Sequence, residues 1–151
     1  MSQPGSLAML YAEDDPDDRL LAEMAHRGSR AASPLVFVSN GDEALEYLRR
    51  GGRYAAPTGW LEPGLVLLDL NMPGTDGLET LRAVRADQAL CRTPVVILTT
   101  STAQADISAC YEAGANSYII KPSAFGDLVR LFTRVCDYWF DLSSFPREVG
   151  R

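Results

Sequence analysis

What this chain has little of narrows its function first. It has three cysteines, Cys91, Cys110 and Cys136, far apart in sequence and odd in number. No C-x-x-C pair and no Cys/His ligand spacing occurs, which argues against a disulfide framework and a zinc site and reads as reduced thiols inside a cell. No apolar stretch approaches the roughly 20 residues that cross a bilayer. The start, Met1 to Ser6, lacks the basic region of a secretory signal, and the apolar run Leu7–Ala12 meets Glu13-Asp14-Asp15 at once. A cytoplasmic location with no membrane contact is the expectation. Positive charge is also short: the formal net charge is -6 and the pI about 4.7, which argues against a nucleic-acid surface. The single histidine, His26, lies beside Arg27 on a helical stretch and reads as a solvated side chain without a role. Neither glycine nor proline dominates, no repeat or low-complexity linker appears, and 151 residues suit one domain with a single core.

Short apolar runs alternate with longer segments of helical period. Strands are expected at Leu7–Ala12, Leu35–Val38, Leu65–Leu70, Pro94–Leu98 and Ser117–Ile120. Helices are expected from Pro16 to about Gly28, Gly41 to Arg50, Gly77 to about Ala89, Ala103 to Ala113, and from about Ser123 to Leu142. Pro16 suits a first helical turn, where its missing N–H has no partner to lose. The run LVLLDL at 65–70 is nearly all apolar, as in a central strand covered on both faces. Between them, a loop over 51–64 carries two prolines, Tyr54 and an exposed-looking Trp60; packing against the body is its expected use. Five strands alternating with five helices predict a doubly wound α/β sandwich around a parallel sheet.

In such a sheet, ligands bind outside the carboxyl ends of the strands. Glu13-Asp14-Asp15 stands at the first of these ends, Asp69 in the third strand, Thr99-Thr100 after the fourth run and Lys121-Pro122 after the fifth. Crowded carboxylates repel, and a hard divalent cation relieves that repulsion; Mg²⁺ suits a site of few carboxylates, waters and a phosphate. Two carboxylates hold the ion while a third stays nucleophilic, with Lys121 supplying a positive charge and Thr99 a hydroxyl donor. That set fits phosphoryl transfer to a carboxylate. An unpaired carboxylate in an apolar strand costs several kcal/mol, so Asp69 is hard to explain structurally. Thr100 reads as an ordinary strand residue, and Gly77 after Asp76 as a tight helix entry.

With Glu13-Asp14-Asp15, the run from Leu67 through Asp69-Leu70-Asn71-Met72-Pro73 to Gly77, Leu98-Thr99-Thr100 and Tyr118-Ile119-Ile120-Lys121-Pro122, the chain resembles the receiver domain of two-component response regulators. The resemblance covers about residues 7–142, leaving 1–6 and 143–151 as tails. It implies a flavodoxin-like strand order 2-1-3-4-5 and a stand-alone regulator that takes a phosphoryl group from a histidine kinase onto Asp69. It further implies Mg²⁺ held by the carboxylates of Asp15 and Asp69 and the carbonyl of Asn71, with Asp14 helping through water. Lys121, beside a cis peptide to Pro122, would pair with the phosphoryl group. Thr99 and Tyr118 would move together and reshape the face of the fourth helix, fifth strand and fifth helix. Ser101 lies where the family tunes the lifetime of the phosphoryl group. The stretch Leu98-Thr99-Thr100-Ser101, the run Asn116-Ser117-Tyr118, the long loop before the third strand and the ending Tyr138-Trp139-Phe140 with Phe145-Pro146 are similar to regulators partnered with bacterial phytochrome kinases.

Two readings compete. A Mg²⁺-dependent phosphatase with an Asp nucleophile typically places a second Asp two residues on; here that position is Asn71, which is no general acid. A degenerate receiver would have lost one of Asp15, Asp69, Thr99 or Lys121. A phosphorelay intermediate or phosphate sink remains an alternative for the same chemistry. On the last helix, Phe125, Leu128, Phe132, Val135 and Trp139 form a stripe to pack on the sheet. Leu131, Tyr138 and Leu142 form a second stripe that predicts a homodimer surface, against the plainer reading of an aromatic tail folded on its own core.

Overall fold

A computed structural model describes residues 7–56 and 59–146. Five parallel strands, β1 (Ala8–Ala12), β2 (Leu35–Val38), β3 (Pro63–Leu68), β4 (Val95–Thr99) and β5 (Ser117–Ile120), form one sheet in the order β2-β1-β3-β4-β5. Five helices connect and cover them: α1 (Pro16–Ser29), α2 (Gly41–Arg49), α3 (Gly77–Ala86), α4 (Gln104–Glu112) and α5 (Phe125–Cys136). Successive strand side chains point to opposite faces, and the core is divided accordingly. Leu10, Ala12, Val66, Leu68 and Ile97 pack with Ala44, Leu48, Leu81 and Val84 of α2 and α3. Met9, Tyr11, Leu65, Leu67, Val96 and Leu98 pack with Ala22, Ala25, Phe132 and Val135 of α1 and α5. The central strands are buried along almost their whole length, which is why they read as continuous apolar runs; the edge strands β2 and β5 are only half-buried.

Local chemistry sets the boundaries. Asp15 caps α1, with Pro16 in the first turn; Asn40 caps α2; Asp76 and Glu79 form a reciprocal capping box on α3. β3 runs from Pro63 to Leu68 rather than to Leu70, so Asp69 stands one residue beyond the strand, its N–H still donating to Ala12 O (3.2 Å). β4 extends to Thr99, and the exposed Thr100 lies past it rather than in it. α3 ends at Ala86, short of Ala89, because extended Asp87 turns its carboxylate onto the Ala89 N–H and Arg49. One donor group then ties the far end of the sheet together: the Arg85 guanidinium donates to the carbonyls of Gly114, Cys91 and Thr93 and to Asn116 Oδ1.

The last helix also departs from expectation. α5 proper ends at Cys136 and continues as a π-helical segment, Asp137–Leu142, so its side-chain phase changes there. Phe125, expected on the inward stripe, is exposed, because it sits at the first turn beyond the sheet's rim. His26 is half-buried rather than solvated: its Nε2 lies 2.8 Å from Ser33 O and its ring meets Phe132 edge-on, and burial pulls its pKa down. Trp60, exposed-looking in the sequence, is half-buried, in line with the expected packing of its loop against the body. Its indole N–H donates to Tyr47 O (3.1 Å), and Arg50 stacks over its ring at 4.6 Å, so the loop lies against α2.

Candidate functional site

The chain leaving each strand is held to its neighbour's ladder for one more residue, and this builds a polar rim. Glu13 N–H donates to Val38 O (3.0 Å), Asp69 N–H to Ala12 O (3.2 Å) and Lys121 N–H to Thr99 O (2.7 Å). Three side chains from three parts of the sequence are thereby brought together. Lys121 Nζ lies 2.6 Å from Asp69 Oδ2, 2.7 Å from Glu13 Oε1 and 3.4 Å from Asp18 Oδ2. The other Asp69 oxygen, Oδ1, accepts from the Thr99 hydroxyl and the Asn71 N–H, both at 3.1 Å. Asp69 is 6% exposed, Glu13 1% and Thr99 0%. The Asp69 carboxylate is therefore aimed and desolvated, with an ammonium, a hydroxyl and an amide around it.

Gly77 permits the approach of α3 to this corner. A Cβ there would stand 2.2 Å from Asp69 O and 2.9 Å from Leu70 Cα, and no backbone atom can yield that far. The glycine lets the helix start directly against the Asp69 peptide.

The acidic triplet is arranged differently from the expectation. Asp15, expected as a metal ligand, caps α1 instead: its Oδ1 accepts from the N–H groups of Asp17 (2.8 Å) and Asp18 (3.1 Å). Asp14 is exposed. Glu13, for which no separate role is expected, turns inward and touches Lys121. Both signals were in the sequence: the residue before a first-turn proline is the natural helix cap, and Glu13 continues the side-chain parity of Met9 and Tyr11. No cis peptide is present among the described residues, so the bond to Pro122 is trans; Lys121 reaches both carboxylates with the commoner isomer.

The charge balance of the cluster is incomplete. Glu13 Oε2 is buried and has no hydrogen-bond partner. Burial pushes the Glu13 pKa up, opposed by Lys121 and reinforced by Asp18 and Asp69. For Lys121, burial pulls down, but Tyr11, Asp69 and Glu13 outweigh it and hold the ammonium above its usual range. Among the described residues no three carboxylate, imidazole or thiol groups form a ready set of metal ligands; the cation at the centre of the cluster is Lys121. The orphaned Glu13 oxygen, with Asp69 in its field, is a donor of the kind a hard, oxygen-seeking cation takes.

Beyond the rim, the Tyr118 hydroxyl donates to Ser101 O (2.9 Å) and Ser101 Oγ donates to Asp106 Oδ2 (2.5 Å), tying β5 to the turn before α4. Of the second stripe on the last helix, Leu131 is half-buried against the core, whereas Tyr138 and Leu142 are 56% and 77% exposed. Ile120 and Phe125 are also exposed.

Comparison with known proteins places this geometry. Residues 9–133 match the model of the response regulator receiver domain. Response regulator Rcp1 of Synechocystis sp. is 32% identical over 96% of this chain and 96% of its own length. A structure of Rcp1 in its Mn²⁺-bound form superposes with a TM-score of 0.81, at 32% identity, over 93% of this chain and 99% of that one. The phosphorylated cyanobacterial phytochrome response regulator RcpA matches with a TM-score of 0.84 and 34% identity over 95% of this chain and 100% of that one. RPA3017, a response regulator in red light signalling of R. palustris, matches with a TM-score of 0.88 and 32% identity over 94% and 99%. Likeness over the whole sheet and both helical layers, with an aspartate, a lysine and a threonine converging at its rim, leads to one assignment: the chain belongs to the receiver domains of response regulators.

Proposed function

We propose that this chain accepts a phosphoryl group from a histidine kinase onto Asp69, in a Mg²⁺-dependent reaction, and signals by changing shape rather than by turning over a substrate. The single observation that carries the reading is the Asp69 carboxylate itself, buried at the rim and engaged on one oxygen by Lys121 and on the other by Thr99 and Asn71. In the transfer, a carboxylate oxygen attacks phosphorus. The P–N bond to the kinase histidine breaks, its electron pair staying on the imidazole nitrogen, and the product is an acyl phosphate. Lys121 and the Thr99 hydroxyl neutralise the phosphoryl oxygens as charge develops. The carboxylates of Glu13, Asp14 and Asp69 and the carbonyl of Asn71 would hold the ion; when bound, it screens these carboxylates from the incoming phosphate. Glu13 replaces Asp15 in that set, because Asp15 is occupied at the start of α1.

Asn71 argues against a phosphatase, since its amide provides no proton and its N–H already holds Asp69. The relatives named for phytochrome and red light signalling support a phytochrome-type kinase as donor, and the same chemistry would serve a phosphorelay intermediate or a phosphate sink. Movement of Thr99 towards the phosphoryl group would reach Tyr118 and Ser101 and so alter the face of α4, β5 and α5. The exposure of Tyr138 and Leu142 beside Leu131 supports homodimerisation through that face in a cytoplasmic protein.

Incubation with Mg²⁺ and acetyl phosphate should add the mass of one phosphoryl group to the intact chain, and Asp69→Asn should remove the adduct. An undiminished adduct in the variant would refute the assignment. Sedimentation at micromolar concentration should show a dimer weakened by Tyr138→Ser with Leu142→Ser; a monomer with and without phosphorylation would remove the dimer.

A further inference from the structure

The three carboxylates around Lys121 Nζ are not alike. Asp69 and Glu13 are buried and lie at 2.6 and 2.7 Å. The third, Asp18 Oδ2, stands at 3.4 Å, and its side chain is 45% exposed. The reaction as described uses the first two and leaves Asp18 without a part. Its place is fixed by α1: the Asp18 N–H donates to Asp15 Oδ1 at 3.1 Å, which holds the residue in the first turn. A helix start ordinarily favours anions, because its free N–H groups and its dipole present a positive end. Here that end is already taken. Asp15 accepts from the N–H groups of Asp17 and Asp18, and the side chains of Asp17 and Asp18 add their own charges to the first turn. Lys121 is the only lysine of the chain, and a phosphodonor that reaches it from solvent meets the open carboxylate of Asp18 beside it.

We propose that Asp18 is a specificity-determining residue: a fixed negative charge at the mouth of the site that slows phosphoryl transfer from small, freely diffusing anionic donors such as acyl phosphates. This rests on Asp69 being the acceptor and Lys121 its counter-charge. In that side reaction an Asp69 oxygen attacks phosphorus and the P–O bond to the acyl group breaks, its electron pair leaving on the released carboxylate; Asp18 forms and breaks no bond. Its effect is Coulombic. Repulsion grows with the charge of the donor, and at a half-exposed position water and salt weaken it without abolishing it. A phosphohistidine carried on a protein is brought in by the contacts of that protein, so the same repulsion weighs less against it.

The test is Asp18→Asn, which keeps the shape and an oxygen for Lys121 and removes only the charge. Adduct formation is followed at saturating Mg²⁺ and neutral pH with two donors of different charge: acetyl phosphate, a dianion, and phosphoramidate, which carries one negative charge fewer. At low ionic strength the variant should be roughly fivefold faster than wild type with acetyl phosphate and about twofold faster with phosphoramidate, because the energy follows the product of the charges. Added salt should shrink both gains. Asp18→Glu, which retains the charge, should stay near the wild-type rates. Equal gains with the two donors, gains that salt leaves untouched, or no gain at all would overturn the role of Asp18 while leaving Asp69 as acceptor. A slower variant would overturn it too, and would make Asp18 a mere anchor for Lys121. Absence of any adduct on the wild type would instead refute the acceptor reading and, with it, a gate before it. Asp18→Ser repeats the test if the asparagine variant does not fold.

Discussion

Lys121→Ala should cost the fold about 3–5 kcal/mol, as expected when a buried ion pair loses one partner, and the cost should grow as pH rises above about 8. Lys121 is 11% exposed and its two close carboxylates are 1% and 9% exposed, so water replaces little of what is lost. The sign follows from Glu13. Burial already pushes its pKa above the ordinary 4.5, with Lys121 opposing; without the lysine the folded carboxylate holds its proton still more tightly. A folded-state pKa above the unfolded one means that the folded chain binds more protons, so stability is retained below the unfolded value and lost as pH rises through the folded one. The wild-type Glu13 is itself raised to about 8, so the difference in melting temperature between wild type and variant should stay nearly level from pH 5 to pH 7 and widen as pH rises through about 8, where the wild-type carboxyl ionises and the variant's does not. Millimolar Mg²⁺ should narrow it again at the higher pH by restoring positive charge beside Glu13 and Asp69. A gap independent of both pH and Mg²⁺ would show that the ammonium does not serve these carboxylates. Phosphorylation by acetyl phosphate should fall by roughly a hundredfold or more, the loss typical of removing one charge-stabilising donor.

Arg85→Ala carries the second large effect, at the opposite end of the sheet. Its guanidinium makes four hydrogen bonds: to Gly114 O (2.9 Å), Cys91 O (3.1 Å), Thr93 O (2.6 Å) and Asn116 Oδ1 (3.0 Å). Asn116 in turn accepts from the Val95 N–H at 2.8 Å and returns its own N–H to Val95 O. One side chain on α3 therefore closes the entries of both β4 and β5. Hydrogen bonds from a charged group contribute about 1.5–3 kcal/mol each but do not add. Freed carbonyls at a half-buried site regain water, so a total near 3 kcal/mol is expected. For a chain of this size that lowers the melting temperature by roughly 6–12 °C. Arg85→Lys should recover less than half, because an ammonium lacks the planar fork that reaches Gly114 and Thr93 at once. A shift of only a degree or two for Arg85→Ala would show that the turns hold themselves.

How far the sequence announced all this depends on whether a feature is local. β2 and β5 lie where apolar runs put them, and α1 and α2 begin where a cap followed by Pro16 or Gly41 puts them, because strand parity and capping are written in adjacent residues. The rim residues Asp69, Thr99 and Lys121 were legible because each ends an apolar run, and an otherwise unexplained polar group there demands a partner. What escaped was decided at a distance. Glu13 outranks Asp15 only because Lys121, more than a hundred residues away, turns towards it, while the backbone of Asp17 and Asp18 takes Asp15. Arg85 looks like one more solvated cation on a helix until four acceptors from two turns are folded around it. Aromatic residues at 138–140 continue the apolar pattern of one regular helix; the π-helical turn that redirects them is a property of packing. The burial of His26 is likewise decided at a distance, since Phe132 and Ser33 supply its cover from other elements.

The packing around Gly64 has a consequence for how the molecule is handled. A Cβ at Gly64 would meet Leu7 at 2.9 Å and the Phe145 ring at 3.2 Å, so the first and last described segments converge on the entrance of β3. Leu7 and Phe145 thus lie at the end of the sheet opposite the rim that carries Asp69. A circularly permuted chain that joins the backbone near Leu7 to that near Phe145 should keep the Asp69–Lys121–Thr99 corner undisturbed.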